Sequence, residues 1–416
     1  MKQKITPRAI ILVIGLALLI FVNTGISNTC AYPFVVPMAT DLGIEIPTLS
    51  FMFTIQSLLC FAGAFVSNFL IKKLPFKVMV VGGGLLIAVG WALQASTSSI
   101  VLIYFANALR GFGSVFCTSL IVSTIVANWF RAGAGTVTSI VMLMQSVAPA
   151  IFSAPIAIAL NSVGWRKVSW IFAGVVLVVN VVVGLFIVRA RPQEVGLQPV
   201  GAALDGSAET TQTQQVELPG VMLKDAMKTK QFWLMTVAVL LQMFIVVGFS
   251  TQRTPAIMAM GVDLVQSQVI VSVLSALAIA YQFIFGIVVD KLGVRVAFCG
   301  ISVLYAIAMI IGATSPQGFG WAMLFGCLTA FYSCGAMYMS QGPRELFGVK
   351  DFGRIMAFIN TPAMAATVFG SAVMNTLLTI FGGDFRIPLW IWLGLIIICM
   401  TLVCLANTKK NRFVAK

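Results

Sequence analysis

Long apolar runs follow one another along the chain, separated by short polar or Gly- and Pro-containing breaks. They cover 9–37, 48–71, 76–96, 100–128, 134–160 and 168–188, and then 231–259, 265–289, 295–314, 319–342, 353–380 and 386–406. At 1.5 Å rise per residue each is long enough to cross a hydrocarbon core of about 30 Å as an α-helix. The short segments of alternating polarity that an outer-membrane barrel requires are absent from the sequence. The pattern therefore predicts an all-α polytopic membrane protein with twelve spans. After the sixth span lies a stretch rich in Gln, Thr, Pro and Gly, which reads as a linker, with DAMKTKQ (225–231) as a short surface helix. The expected division is a six-helix bundle over 1–188, a cytoplasmic linker over 189–230, and a second six-helix bundle over 231–416.

The charges fix an expected topology. Only 9% of the 416 residues are charged, against about 25% in soluble domains. The mean hydropathy is +1.03. A formal charge of +14 raises the question of nucleic-acid binding. The positions of the cations argue against it, because they cluster in short loops on alternate sides of the chain's path. With the N-terminus inside, 21 of the 26 Lys and Arg residues are cytoplasmic. Outside fall Arg166, Lys167, Arg386 and, near an outer helix end, Arg253; Arg110 lies within a span. The positive-inside rule predicts a multi-pass protein of the cell inner membrane with both termini cytoplasmic. Lys2, Lys4 and Arg8 precede an apolar run too long for a signal peptide, so the first span is expected to be retained.

Chemistry-bearing residues are few. All eight cysteines lie in apolar segments without metal-ligand spacing, and read as small buried hydrophobes. There is no histidine, and the twelve acids all fall in loops or at span ends. Neither a nucleophile–base set nor a phosphate-binding loop can be assembled, so neither an enzyme nor a cofactor or metal site is expected. With no carboxylate in mid-membrane, the centre carries net positive charge, which suits an anion better than a cationic drug.

The two halves also repeat. GISN (25–28), then Tyr32-Pro33 and Asp41-Leu42, matches GFST (248–251), then Thr254-Pro255 and Asp263-Leu264. GWR (164–166) before Trp170-Ile171 matches DFR (384–386) before Trp390-Ile391, and KKLPFK (72–77) falls opposite DKLGVR (290–295). Parallel repeats of this kind characterise carriers whose substrate site lies near the bilayer midplane.

GIVVDKLGVR (286–295) resembles the loop signature G-x-x-x-D-[RK]-x-G-x-[RK] of the major facilitator superfamily, in its second-half position. NWFR (128–131) with Gly133 and Gly135, RPQEVGL (191–197), QFW (231–233), and RELFG (344–348) with Phe352-Gly353 resemble, within it, the oxalate/formate antiporter and monocarboxylate-carrier-like branch. Two departures argue against oxalate itself. Gln282 stands where the branch's oxalate carriers place an eighth-helix arginine, and 355–380 has no charge where they use a lysine.

The resemblance implies a monomeric secondary transporter working by alternating access, with its first, fourth, seventh and tenth helices lining the cavity. Arg110 is then the leading counter-charge for a substrate carboxylate, its planar fork suited to bidentate recognition. The alternative is the superfamily's fourth-helix tether, although Asn107 takes the usual arginine place if Gly111 and Gly113 are that motif's glycines. Arg253 is the second candidate, and outer-interface snorkelling is its alternative. Asn28 and Tyr32, Tyr332, and Gln282 complete the expected substrate set; ordinary interhelical hydrogen bonding would equally explain them. Asn23, Thr29, Gln145, Gln242, Ser333, Tyr338 and Asn360 are further polar choices. A cytoplasmic gate is expected from Asp290, Lys291 and Arg295, with Asp290 accepting from the N-terminus of the fifth helix near Arg131. Lys72 replaces the first-half acid, and Asp351 pairing with Lys72 or Lys73 would be a charge-swapped clasp.

The expected substrate is a small organic anion of the monocarboxylate type, moved by exchange or together with protons. The partners are that anion and the lipid bilayer, with no nucleic acid. A drug or metabolite exporter of the same fold is the first alternative, and a transport-inactive membrane sensor the second.

Overall fold

A computed structural model of the chain describes residues 6–70, 73–117, 119–130, 134–189, 192–195, 198, 220–332, 335–348 and 350–406. They are helical with connecting turns, and no strand occurs among the described residues. The first six helices are α1 (Pro7–Leu42), α2 (Ile46–Leu70), α3 (Phe76–Ser96), α4 (Ile100–Trp129), α5 (Ala134–Val163) and α6 (Trp165–Ile187). The others are α7 (Lys230–Ser250), α8 (Leu264–Leu292), α9 (Val294–Thr314), α10 (Phe319–Phe331), α11 (Gly335–Phe347), α12 (Phe352–Ile380) and α13 (Arg386–Ala406). Among the described residues eleven helices are long and apolar enough to cross a membrane, and α10 is a shorter apolar helix. Phe186 and Ile380 are 73% and 67% exposed, as expected of side chains that face lipid rather than water.

The chain forms two compact units. The first contains Met1–Ile44 and Ile55–Gln214, and the second contains Glu45–Thr54 and Gln215–Lys416.

In the first unit, α1 departs from the single continuous run expected over 9–37. It is α-helical to Ile20, widens into a π turn over Phe21–Ile26, tightens to a 3-10 turn over Thr29–Phe34, and resumes over Val35–Leu42. Pro33 supplies no amide to the ladder, which explains a break here. Ala31 N donates to Asn28 O at 3.2 Å instead of to Ser27, so the Ser27 carbonyl is released from the helix ladder.

Other polar groups are paired between helices. Asn23 on α1 and Asn180 on α6 exchange reciprocal amide bonds of 3.0 and 2.9 Å, and each also donates to the carbonyl four residues earlier. Helices α3 and α4 meet through glycine: a Cβ on residue 90 would lie 2.6 Å from both Ala106 O and Arg110 Cγ.

In the second unit, α7 and α12 cross at Gly248 and Gly370, where a Cβ on Gly370 would collide with the Phe244 carbonyl. Asp263 and Gln266 form a reciprocal capping box at the start of α8. Glu345 accepts from Val294 N at 3.1 Å, capping the exposed start of α9. Within the expected tenth span, 319–342, helix is described as α10 up to Phe331 and as α11 from Gly335, and residues 333–334 lie outside the described residues. Gly335 opens α11 against α7, where any side chain would collide with Gln242. In place of the surface helix expected over 225–231, a short helix forms at Leu223–Ala226 and residues 227–229 turn into α7. Val221, just before the short helix, donates to Phe347 O at 3.0 Å. Cys30, Cys117 and Cys399 are buried, whereas Cys60, Cys299, Cys327 and Cys404 are only partly so; Cys334 lies outside the described residues.

The Asn23–Asn180 pair gives a direct test of the first unit. Asn180→Ala leaves a buried amide unpaired and should cost about 1–3 kcal/mol. Asn23→Ala combined with Asn180→Ala should cost less than the sum of the two single changes. Thermal unfolding of the purified protein checks both; strict additivity would contradict the pairing.

Candidate functional site

Arg110 sits in the middle of α4 and is 1% exposed. Its Nη1 donates to Gln94 Oε1 at 3.1 Å and to Asn107 Oδ1 at 2.9 Å, and its Nη2 donates to the released Ser27 carbonyl at 2.7 Å. The Trp91 ring covers one face of the guanidinium, with Cζ 3.7 Å from the ring centroid. Trp91 is fixed by its own bond from Nε1 to Ser27 Oγ, 2.8 Å, and by edge contacts with Phe34 and Phe172. Asn107 also donates to Gln94 Oε1 and to Ile103 O, and Gln94 donates to the Met38 sulfur at 3.4 Å. Helices α1, α3 and α4 thus contribute directly to one polar cluster, and α6 supports it through Phe172.

Every hydrogen-bond partner of Arg110 in this cluster is neutral. An ion pair described in the first unit, Arg166 with Asp41 at 3.6 Å, is at the exposed end of the helices. Arg110 therefore keeps an uncompensated positive charge, and its Nε is buried without a hydrogen bond. Bonds from a charged donor contribute about 1.5–3 kcal/mol each, and a desolvated cation–π contact about 2 kcal/mol. Together they offset an insertion cost of about 3 kcal/mol on translocon scales. The arrangement is stable, but it lacks the carboxylate that would neutralise it.

The other expected residues are distributed as follows. Asn28 Oδ1 accepts from Gln56 Nε2 at 2.7 Å, and Tyr32 is half-buried in the same irregular part of α1. Arg253 begins the short helix Arg253–Met258 and is half-buried. Around it, Gln252 Nε2 donates to Asn375 Oδ1 at 2.5 Å and Gln268 Nε2 to Thr254 Oγ1 at 2.9 Å. Tyr332 is buried and stacks on Tyr305, with centroids 4.1 Å apart, and its carbonyl accepts from Gln242 at 3.4 Å. Gln282 is half-buried on α8.

Of the gating set, Asp290, Lys291 and Arg295 are exposed, and Lys72 and Arg131 lie outside the described residues. Asp351 makes contacts within the second unit, and Lys72 of the expected clasp lies outside the described residues. The Asp351 carboxylate accepts from Leu223 N at 2.9 Å, the first amide of Leu223–Ala226, and lies 3.7 Å from Arg354. A carboxylate is favoured at a helix start with a cation one turn away, which accounts for that choice. Lys73 Nζ instead lies over the Phe69 ring.

Ser27, Gly90, Trp91 and Gln94 were not among the residues expected from the sequence. The available signal was a Trp-x-x-Gln pair inside an otherwise apolar span, together with Gly90 beside it.

Two units of apolar helices with polar groups clustered inside define a polytopic membrane carrier. The Major Facilitator Superfamily profile matches residues 16–343, and the chain belongs to that superfamily. It is a transporter of small molecules and not an enzyme. The fold is similar to that of a bacterial homolog of the human lysosomal transporter Spinster, inward-facing and unoccupied, with a TM-score of 0.66 at 14% identity over 99% of this chain and 97% of that one. It is likewise similar to the nucleoside transporter NupG (TM-score 0.70, 12% identity, 95% of this chain and 98% of that one). A D-xylose–proton symporter gives a TM-score of 0.64 at 13% identity over 95% and 96% of the two chains. No curated protein sequence matches the chain.

The Gln94 contact yields a stability test. Gln94→Leu removes an acceptor shared by Arg110 and Asn107 and should cost about 1–3 kcal/mol. Gln94→Glu supplies the missing counter-charge and should stabilise the protein. Melting temperatures moving in the same direction would contradict the cage described here.

Proposed function

We propose that the protein is a secondary transporter of a small organic anion, with Arg110 as the counter-charge. The observation that carries this reading is the buried guanidinium whose acceptors are all neutral. Bonds to ionised acceptors are roughly twice as strong as bonds to neutral ones. A substrate carboxylate can therefore displace Gln94 and Asn107 from Nη1, which leaves those amides to bond the substrate's other oxygens. Opening follows from the irregular part of α1, because the Ser27 carbonyl lies between a π turn and a 3-10 turn. One central cation favours a monocarboxylate; participation of Arg253 would extend the range to dicarboxylates. Asn28, Tyr32, Tyr332 and Gln282 would orient the remainder of the substrate, with Asp290, Lys291, Arg295, Arg131, Lys72 and Asp351 at the inner gate. The working unit is a monomer in the inner membrane with both termini cytoplasmic, and transport proceeds by exchange or with protons carried by the substrate.

A second reading is a neutral hydroxylated solute. It is favoured by the engagement of both Arg110 terminal nitrogens with neutral acceptors, which would make the arginine a tether.

Counterflow in proteoliposomes separates the two, using a panel of monocarboxylates and dicarboxylates alongside a nucleoside and a pentose. Wild-type protein should exchange a monocarboxylate. Arg110→Gln should lose that exchange by about tenfold or more, in line with one lost charge-assisted bond. Gln94→Glu is the sharper variant, since it neutralises Arg110 while keeping the cage. It should remain folded and yet fail to exchange anions. Persistent anion exchange in Gln94→Glu would reduce Arg110 to a tether, and movement of the nucleoside or pentose alone would favour the second reading.

A further inference from the structure

A groove of about 650 Å³ lies along α8 and α9 in the second unit. Helix α8 contributes Tyr281, Phe285 and Val288 to it, and α9 contributes Cys299, Gly300 and Val303. Its walls are almost wholly apolar. Phe331, at the end of α10, stacks on Tyr281 with ring centroids 3.7 Å apart and an interplanar angle of 8°, so that the aromatic pair closes one end. Gly300 keeps the floor open, because a Cβ there would meet nothing within 4 Å. Around the rim, Ile284, Val296 and Val303 are 52%, 51% and 48% exposed.

By helix register two cations follow the groove at its other end, where Glu345 is bonded to Val294 N. On α8, Ile284, Val288 and Lys291 recur at three- to four-residue spacing, so Lys291 continues the groove's stripe. On α9, Arg295 lies one turn before Cys299 on the same side. Both cations are exposed. Asp290 is two residues from Val288 and so points away from that stripe. From Tyr281 to Lys291 the helix rises about 15 Å at 1.5 Å per residue. That equals about half of a 30 Å hydrocarbon core, the depth of one leaflet.

We infer that this groove holds one acyl chain of an anionic phospholipid, whose phosphate rests on Lys291 and Arg295. The chemistry fits at both ends: an apolar slot one leaflet deep, then two cations where a headgroup would lie. The positive-inside orientation proposed above puts these cations on the side where anionic lipids concentrate. The inference does not depend on which solute is carried.

Native mass spectrometry of the full-length protein, titrated with phosphatidylglycerol or phosphatidylcholine, tests it. The wild type should retain one phosphatidylglycerol and prefer it to phosphatidylcholine. Gly300→Leu fills the slot and should weaken binding of both lipids by about tenfold. Lys291→Gln with Arg295→Gln should keep the weaker, unselective binding and lose the anionic preference by roughly tenfold. Gly300 faces open space and the two cations are exposed, so both variants should keep the wild-type melting temperature. Equal lipid retention in Gly300→Leu, or an unchanged preference in the double variant, would overturn the assignment. A dimer replacing the lipid adduct would overturn it as well, making the groove a contact between copies of the chain.

Discussion

A hydrocarbon interior offers no water to bond to, and that constraint governs every polar atom in this protein. It accounts for the helices, which satisfy their own backbone. It also accounts for where regular helix is given up. The break in α1 frees the Ser27 carbonyl, and Arg110 brings a guanidinium needing acceptors; the two meet at 2.7 Å. Each feature would be costly alone, since an unbonded buried carbonyl and an isolated buried cation are both destabilising. Together they tie α1 to α4. Trp91 then serves both, with its indole N–H on Ser27 Oγ and its ring face on the guanidinium.

The same rule decides how polar residues elsewhere are handled. Asn23 and Asn180 close on one another, and Gln252 closes on Asn375. These pairs involve neutral amides and leave no net charge behind. Arg110 is different in kind, because hydrogen bonds to neutral groups satisfy its geometry without cancelling its charge. Adding a carboxylate at Gln94 would complete the electrostatics, so the existing arrangement is not the most stable one available. Sites left short of their stability optimum are often those where a ligand supplies the missing interaction.

How much of this was legible in the sequence depended on range. Span positions were readable because length and apolarity are local properties, and α2, α3, α9 and α13 lie close to the expected bounds. Helix α7, by contrast, ends at Ser250 rather than 259, before the separate helix Arg253–Met258. Arg110 was readable as an anomaly, a charge in an apolar run. Its partners were not: Gln94 and Trp91 are on the preceding helix, and the Ser27 carbonyl lies 83 residues away. No local pattern connects a backbone carbonyl to a distant arginine. The break in α1 was signalled by Pro33, yet hydrophobicity alone reads straight through it. The bond from Leu223 N to Asp351 was equally out of reach, because it joins segments 128 residues apart.

The surplus of 26 cations over 12 acids has a structural meaning beyond topology. Most of the excess lies in loops, where water and counter-ions screen it. Two locations stand apart from that screening. Arg110 is enclosed, and Lys291 with Arg295 would escape it where the proposed lipid headgroup rests. At Arg110 no carboxylate is among its hydrogen-bond partners, and at the groove Glu345 is turned to Val294 N while Asp290 lies off the groove's stripe. On the two proposals made above, an anion from outside the chain would complete each arrangement: a mobile one at Arg110, released once per cycle, and a resident one at the groove. The difference follows from the surroundings. At Arg110 amides wait to take the anion's place, so departure leaves no donor stranded. At the groove an acyl chain anchors the headgroup, and departure would expose an apolar slot that only another lipid can fill.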